Sequence, residues 1–308
     1  MIYELAIIGG GPAGISAGIY AARKKLKTVL IADSFGGQSI VSDDIQNWVG
    51  TKSISGQELS KNLESHLKEY AGDIVDIKEG EKVELISGNK VDGFEIKTKN
   101  NLYKAKTVLV TTGSHRRRLQ AKNADVLEHR GITYCATCDG PLYTGRDVMV
   151  IGGGNAGFET ASQLLAYAKS VTLLHKNGKF KADEITVKKV SSHPNFKLIS
   201  NAETKEILGE KFVTGLRYID IHTGEEKEVS TNGIFVEIGA EPTTGFVSEL
   251  VKLNDYKSIV VDHQTQRTSA EGVWAAGDCT DGLYHQNNIA SGDAIKALED
   301  IYIYIRTK

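Results

Sequence analysis

The pattern that most limits what this chain can become is a glycine spacing that occurs twice. Gly9-Gly10-Gly11-Pro12-Ala13-Gly14 carries Gly-x-Gly-x-x-Gly on Gly9, Gly11 and Gly14. Gly152-Gly153-Gly154-Asn155-Ala156-Gly157 repeats it on Gly152, Gly154 and Gly157, a spacing of 143 residues. Each copy follows a short run, Tyr3 to Ile8 and Asp147 to Ile151, that reads as a strand, and the first precedes a segment of mainly small residues. An apolar run ending in glycine reads as a buried parallel strand. The segments that follow read as helices, to about Arg23 in the first copy and over Phe158 to Ala168 in the second. In such a unit the glycines allow a tight turn, close approach of backbone to a pyrophosphate, and close helix–strand packing, with the helix N-terminus facing the phosphates. Thr28 to Ala32 and Val171 to Leu174 supply the next strands. Asp33 closes the first of these, 19 residues after Gly14, where a carboxylate accepts hydrogen bonds from an adenosine ribose. One glycine loop is weak evidence. Two complete units predict an α/β chain with two Rossmann-like, three-layer ββα-type domains and two nucleotides.

Between the units the reading is coarser. Leu59, Leu63 and Leu67 repeat every four residues and predict an amphipathic helix over 57–70. His66, near that face, reads as packed or solvated, and Trp48 as a core residue in a turn-rich stretch. Residues 74–110 read as strands, with turns at Gly88-Asn89 and Asp92-Gly93. His115-Arg116-Arg117-Arg118 marks the first domain crossing, and the stretch from Gly239 to Gly245 the return. The second domain is therefore inserted into the first: residues 1–115 and 245–308 form one, 116–244 the other. Val273 to Cys279 is another buried strand ending in Gly-Asp, and a helix covers Ala290–Leu298. Ile301, Ile303 and Ile305 beyond it suit a continued helix or an interface element.

Just ahead of the second unit lies Cys135-Ala136-Thr137-Cys138-Asp139-Gly140. Two cysteines separated by two residues can close a small disulfide or open to a dithiol. The acid after them can exchange protons with a thiolate or cap the short helix that the segment starts. A thiol of ordinary pKa about 8.5 falls to roughly 7 in such motifs, giving a useful thiolate fraction at neutral pH. Half a zinc site is the other use of this spacing. A closed site needs four ligands, and no second such pair exists, so no metal is expected.

The chain has 308 residues, enough for about two domains. Its three cysteines are too few for a secreted disulfide scaffold and fit a reducing, cytoplasmic setting with one redox pair. A net charge of −2 offers no electrostatic case for nucleic acid or an anionic membrane surface. No run of 18 or more apolar residues predicts a membrane span.

Taken together, these motifs resemble the low-molecular-weight thioredoxin reductases along essentially the whole chain. The resemblance is carried by Gly9–Gly14, the Cys135–Gly140 segment, Gly152–Gly157, Gly277-Asp278 and the closing Gln286 segment. Lys181-Ala182-Asp183, Gly233 to Gly239 and Ala275 to Thr280 are similar to the reductase part of the alkyl hydroperoxide reductase flavoprotein. That relative has an added N-terminal thioredoxin-like domain. Here Met1 adjoins the first strand, so electrons are expected to go to a separate protein.

The resemblance implies FAD in the first domain, contacted by Gly9, Gly11, Pro12, Ala13, Gly14, Asp33, Gly37, Gln38, Asn47, Thr112, Gly113, Gly277, Asp278, Gln286 and Asn287. It implies NAD(P)H in the second, at Gly152, Gly154, Asn155, Ala156, Gly157, His175, Lys176 and Lys181. Electrons would pass from that nucleotide by way of FAD to the Cys135–Cys138 disulfide, with Asp139 handling protons and Cys138 nearer the flavin. Exchange would then carry them to a thioredoxin-like or glutaredoxin-like dithiol protein. The homodimer is the implied assembly, and the middle domain is expected to rotate about its two crossings. Cys279 reads as structural. The donor is the open point: the segment after Leu174 has no acid for a 2′-hydroxyl, and its lysines favour NADPH, with NADH as the alternative. A peroxiredoxin-system acceptor and a non-nicotinamide donor are the remaining alternatives.

Overall fold

The first apolar run folds as β1 (Ile2–Gly10), and Pro12, whose ring presets a helical φ, opens α1 (Pro12–Arg23). The chain continues through β2 (Thr28–Phe35), a short 3-10 turn at Gly37–Val41, α2 (Gly56–Ala71), β3 (Val75–Glu79), β4 (Val83–Asn89), β5 (Gly93–Thr98), β6 (Leu102–Val110) and β7 (Ser114–Arg116). These elements come from a computed structural model that describes residues 1–42, 45–180 and 182–307. Ser55 caps α2 by accepting the Glu58 amide, and its Leu59 and Leu67 are buried as the four-residue repeat requires. His66 is exposed beside the Tyr70 ring.

Next come β8 (Ile132–Thr133), α3 (Ala136–Asp139), β9 (Asp147–Ile151), α4 (Asn155–Leu164), β10 (Ser170–Leu174), α5 (Glu184–Ser191) and β11 (Phe196–Ile199). They are followed by β12 (Ala202–Leu208), β13 (Gly215–Asp220), β14 (Glu226–Ser230), β15 (Gly233–Val236) and β16 (Ala240–Pro242). The tail returns with β17 (Val273–Ala275) and α6 (Asn287–Arg306). The terminal isoleucines therefore continue the helix. No helix among the described residues is long and apolar enough to cross a membrane.

Two compact units result. One joins residues up to His115 with those from Glu241, and the other is Arg116–Ala240. The return boundary lies four residues earlier than the sequence suggested, because Thr243 and Thr244 are tied to the first unit. Thr112 Oγ1 donates to the Thr243 carbonyl at 2.6 Å, and Thr244 Oγ1 to the Lys257 carbonyl at 2.7 Å. The crossing strands β7 and β16 pair as a two-stranded ribbon.

In the first unit the sheet runs β3-β2-β1-β6-β5-β4, with β17 added in parallel beside the end of β6. Helices α1, α2 and α6 cover one face, and Val247, Val251, Ile259 and Val261 cover the other with the β4–β5 hairpin. Small residues set the helix packing. A Cβ on Gly18 would come within 2.7 Å of Leu67 Cδ1, and Ala13, Ala17 and Ala21 share one core with Ala290, Ala294 and Ala297.

The second unit has a five-stranded parallel sheet, β11-β10-β9-β15-β8, and a separate β12-β13-β14 meander. Phe158, Ala161 and Leu164 of α4 pack on one sheet face, and Leu216, Tyr218 and Ile207 of the meander on the other. Each unit is thus a three-layer dinucleotide-binding fold, the second inserted into the first.

The core tryptophan is Trp274, not Trp48. Trp48 is half-buried against Ile45, Ile54 and Leu59, whereas Trp274 is 1% exposed. Its indole Nε1 donates to Asp300 Oδ2 at 2.8 Å, and its ring meets Tyr304 edge-on. Truncating so large a side chain leaves a cavity and an unmet carboxylate contact, so Trp274→Ala should cost about 3–5 kcal/mol by denaturant unfolding. A loss under about 1 kcal/mol would show that this core is not closely packed.

Candidate functional site

The two glycine loops have the same construction. A Cβ on Gly14 would lie 1.9 Å from the Gly9 carbonyl oxygen, and one on Gly157 would lie 2.0 Å from that of Gly152. Gly9 and Gly152 have φ of +123° and +131°, values that favour glycine. The middle glycines are different. The nearest atom to a Cβ on Gly11 is Gly37 Cα at 3.8 Å, and around Gly154 there is nothing within 4 Å among the described residues. The outer glycines close the turn, and the middle ones leave open space in front of it.

The helices behind these loops lack side-chain caps. Ser55 caps α2 and Asp183 caps α5, but no described side chain caps α1, α4 or α6. Uncapped first-turn N–H groups, with the positive end of the helix dipole, favour phosphate oxygens.

In the first unit, α1 and α6 open onto a cavity of about 430 Å³, within the usual range for small-molecule sites. Gly9, Gly11, Pro12, Ala13, Asp33, Gly37, Gln38, Thr112, Gly113, Gly277, Asp278 and Asn287 line it. Gly14, Asn47 and Gln286 do not. Gly14 lies beneath the loop. Asn47 Nδ2 donates to Gln286 Oε1 at 2.9 Å, and Asn288 Nδ2 to the Asn47 carbonyl at 2.7 Å, which ties the 45–50 loop to the start of α6. Ser39 Oγ donates to Asn287 Oδ1 at 2.8 Å, and Asp278 faces His285 Nδ1 at 3.4 Å. The open space at Gly11 and Gly113, the Asp33 carboxylate and two uncapped helices fit a dinucleotide such as FAD. Lys82, Thr243 and Phe246 also line the cavity. Sequence reasoning missed them because they stand in turns and in the return crossing, without motif or periodicity.

In the second unit His175 fills the side of the loop. A Cβ on Gly153 would fall 2.5 Å from its ring, which packs near Phe180. Asn155 Oδ1 accepts the Asp183 amide at 2.8 Å. Lys176 Nζ meets Glu203 Oε1 at 2.8 Å, and Lys205 Nζ meets Glu203 Oε2 at 2.7 Å. The two lysines hold the Glu203 carboxyl down to about 2. Lys181 falls outside the described residues. Open space at Gly154 and an uncapped α4 fit a second dinucleotide.

The Cys-x-x-Cys pair lies in this unit as well. Cys135 and Cys138 form a disulfide across the one-turn helix α3. The Cys138 amide donates to Cys135 Sγ at 3.2 Å, so a sulfur caps the helix. Asp139 is the last residue of that turn and accepts a hydrogen bond from Thr133 Oγ1; it is not the N-cap. Cys279 is different in kind. It is fully buried, with Sγ near the carbonyls of Ala276 (3.4 Å) and Val110 (3.5 Å), and burial pushes its thiol up to about 11.

Two dinucleotide folds in one chain with a bridged Cys-x-x-Cys define an oxidoreductase of the disulfide class. The chain belongs to the pyridine nucleotide-disulphide oxidoreductase family, which it matches over residues 3–294. Membership implies FAD and a nicotinamide nucleotide as cofactors. Solved thioredoxin reductases from Streptococcus pyogenes and Giardia duodenalis are similar over nearly all of both chains. The first has a TM-score of 0.91 at 31% identity, covering 100% of this chain and 99% of its own. The second has 0.90 at 31%, with 99% of each covered. Among sequence relatives, a Bacillus subtilis (strain 168) protein named NADH dehydrogenase is 40% identical over 98% of this chain and 58% of its own. The F component of alkyl hydroperoxide reductase from Pseudomonas putida is 40% identical over 96% and 56%. The chain spans just over half the length of these curated relatives.

A deeply buried thiol held protonated is a poor nucleophile. In reduced, folded protein at neutral pH, alkylation should therefore modify Cys135 and Cys138, and Cys279 only after denaturant is added. Peptide mass analysis showing Cys279 labelled as fast as the pair would refute this.

Proposed function

We propose that the protein is a flavin-dependent disulfide reductase that transfers two electrons from a nicotinamide nucleotide to the disulfide of a small thioredoxin-like protein. The observation that carries this reading is the Cys135–Cys138 bridge on a one-turn helix, in the unit that also holds the second glycine loop. On this reading the first unit holds FAD at Asp33, Gly113, Asp278 and the Gly9–Gly14 loop, and the second holds the nucleotide at Gly152–Gly157. FAD, when bound, supplies the two-electron relay between donor and disulfide.

The protein's own groups govern the exchange that follows. In the dithiol form, the Cys138 amide and the α3 N-terminus stabilise a thiolate on Cys135. We assign Cys135 as the attacking thiolate and Cys138 as the cysteine facing the flavin, as the family resemblance suggests. The Cys135 thiolate displaces one sulfur of the partner's disulfide. Cys138 then attacks the mixed disulfide, restoring the intramolecular bridge and releasing a dithiol. Asp139, oriented by the Thr133 hydroxyl, takes the proton that leaves Cys138.

For the donor we propose NADH. Lys176, which the sequence offers to a 2′-phosphate, is paired with Glu203. The relative at 40% identity named NADH dehydrogenase supports this direction. Steady-state oxidation should favour NADH over NADPH by at least about tenfold in kcat/KM, and Glu203→Ala, which releases Lys176, should narrow the gap. Equal efficiencies for the two nucleotides would refute NADH preference.

The relatives named for alkyl hydroperoxide reductase support a second reading of the acceptor, a peroxiredoxin-system protein in place of thioredoxin. A coupled assay with a panel of small dithiol proteins separates the two, and sedimentation tests the proposed homodimer. Cys138→Ser should lower reduction of every protein disulfide by about 10³-fold or more, while ferricyanide reduction by the same nucleotide persists. Undiminished protein-disulfide reduction would refute the dithiol role.

A further inference from the structure

At the root of the second glycine loop sits a buried carboxylate that the reaction outlined above does not use. Glu237 follows β15, and its side chain is only 5% exposed. Its amide donates to the Ile151 carbonyl at 2.8 Å, and a Cβ on Gly152 would lie 2.2 Å from the Glu237 carbonyl oxygen. Glu237 is therefore packed directly behind the loop. From α4, Thr160 Oγ1 donates to Glu237 Oε1 at 2.9 Å. From β7, Arg116 Nη1 meets Oε2 at 3.3 Å.

A negative charge in this place opposes what the loop is built to do. The uncapped end of α4 attracts phosphate, while a carboxylate behind it repels phosphate through a poorly screened interior. Among the described residues of this unit, Arg116 is the cation in contact with Glu237, and it restores local neutrality. Burial raises the Glu237 carboxyl above its ordinary range, and Glu159 on α4 adds to the rise, while Arg116 and the Thr160 hydrogen bond oppose it.

We propose that Arg116 and Glu237 form a charge-compensating pair that sets the affinity of the Gly152–Gly157 loop for the nucleotide pyrophosphate. This rests on the reading of that loop as the nicotinamide-nucleotide site. Arg116 acts through Glu237, and the pair is a positioning device, not a catalytic one.

The test is a double-mutant cycle on FAD-loaded protein. Binding of NAD⁺ and of ADP-ribose is measured by titration calorimetry, with unfolding temperatures as a folding control. Arg116→Ala should weaken both ligands roughly tenfold, the scale of one unit-charge interaction across a partly screened gap. Glu237→Gln, which keeps the acceptor for Thr160, should bind as well as the parent protein or better. The double variant should return to within about twofold of the parent, because the charge needing compensation is gone. The Arg116→Ala deficit should also shrink as pH falls, since Glu237 then gains a proton. Equal losses in the single and double Arg116 variants would overturn the proposal, as would an Arg116→Ala protein that binds like the parent. Parent protein that binds neither ligand would overturn the assignment of the loop itself.

Discussion

The contact on which both units depend is that between the third glycine of each loop and the carbonyl of the first. No side chain fits between Gly14 and Gly9, or between Gly157 and Gly152. That closeness brings the helix to the end of its strand and fixes the direction in which its first N–H groups point. Sheet, helix and loop cannot be varied independently. A larger residue would lift the helix and move its first N–H groups. The repetition of this contact in two units of otherwise different sequence shows how little else the loop requires.

Around this contact the two units solve different problems. In the first, a second uncapped helix, α6, is brought to the same cavity and packed on α1 through alanine and glycine. Polar side chains then join distant stretches: Asn47 to Gln286 and Ser39 to Asn287. The second unit carries the disulfide bridge. Its cysteines sit on a single helical turn before β9, and the sheet behind them is covered on both faces.

Much of this was legible because the decisive features are local. Gly-x-Gly-x-x-Gly and Cys-x-x-Cys each concern backbone geometry or chemistry within a few neighbouring residues, and the acid 19 residues after the first loop is one strand away. What escaped were facts set by residues remote in sequence. Lys176 reads as free charge until Glu203, on another strand, is seen beside it. Trp48 and Trp274 cannot be ranked by burial without knowing which strand receives α6. Of the two roles open to Asp139, proton exchange and helix capping, the second is filled by the sulfur of Cys135. The return falls within the Gly239–Gly245 stretch as read, but the division inside it, at Glu241, follows from the hydrogen bonds of Thr243 and Thr244 to the first unit.

The ribbon of β7 with β16 has a further meaning for the history of such chains. An insertion that departs and re-enters through adjoining strands joins its host's chain at a single two-stranded seam. A gene encoding the host could accept, lose or exchange the whole inserted module at that seam without a break elsewhere in the host's chain.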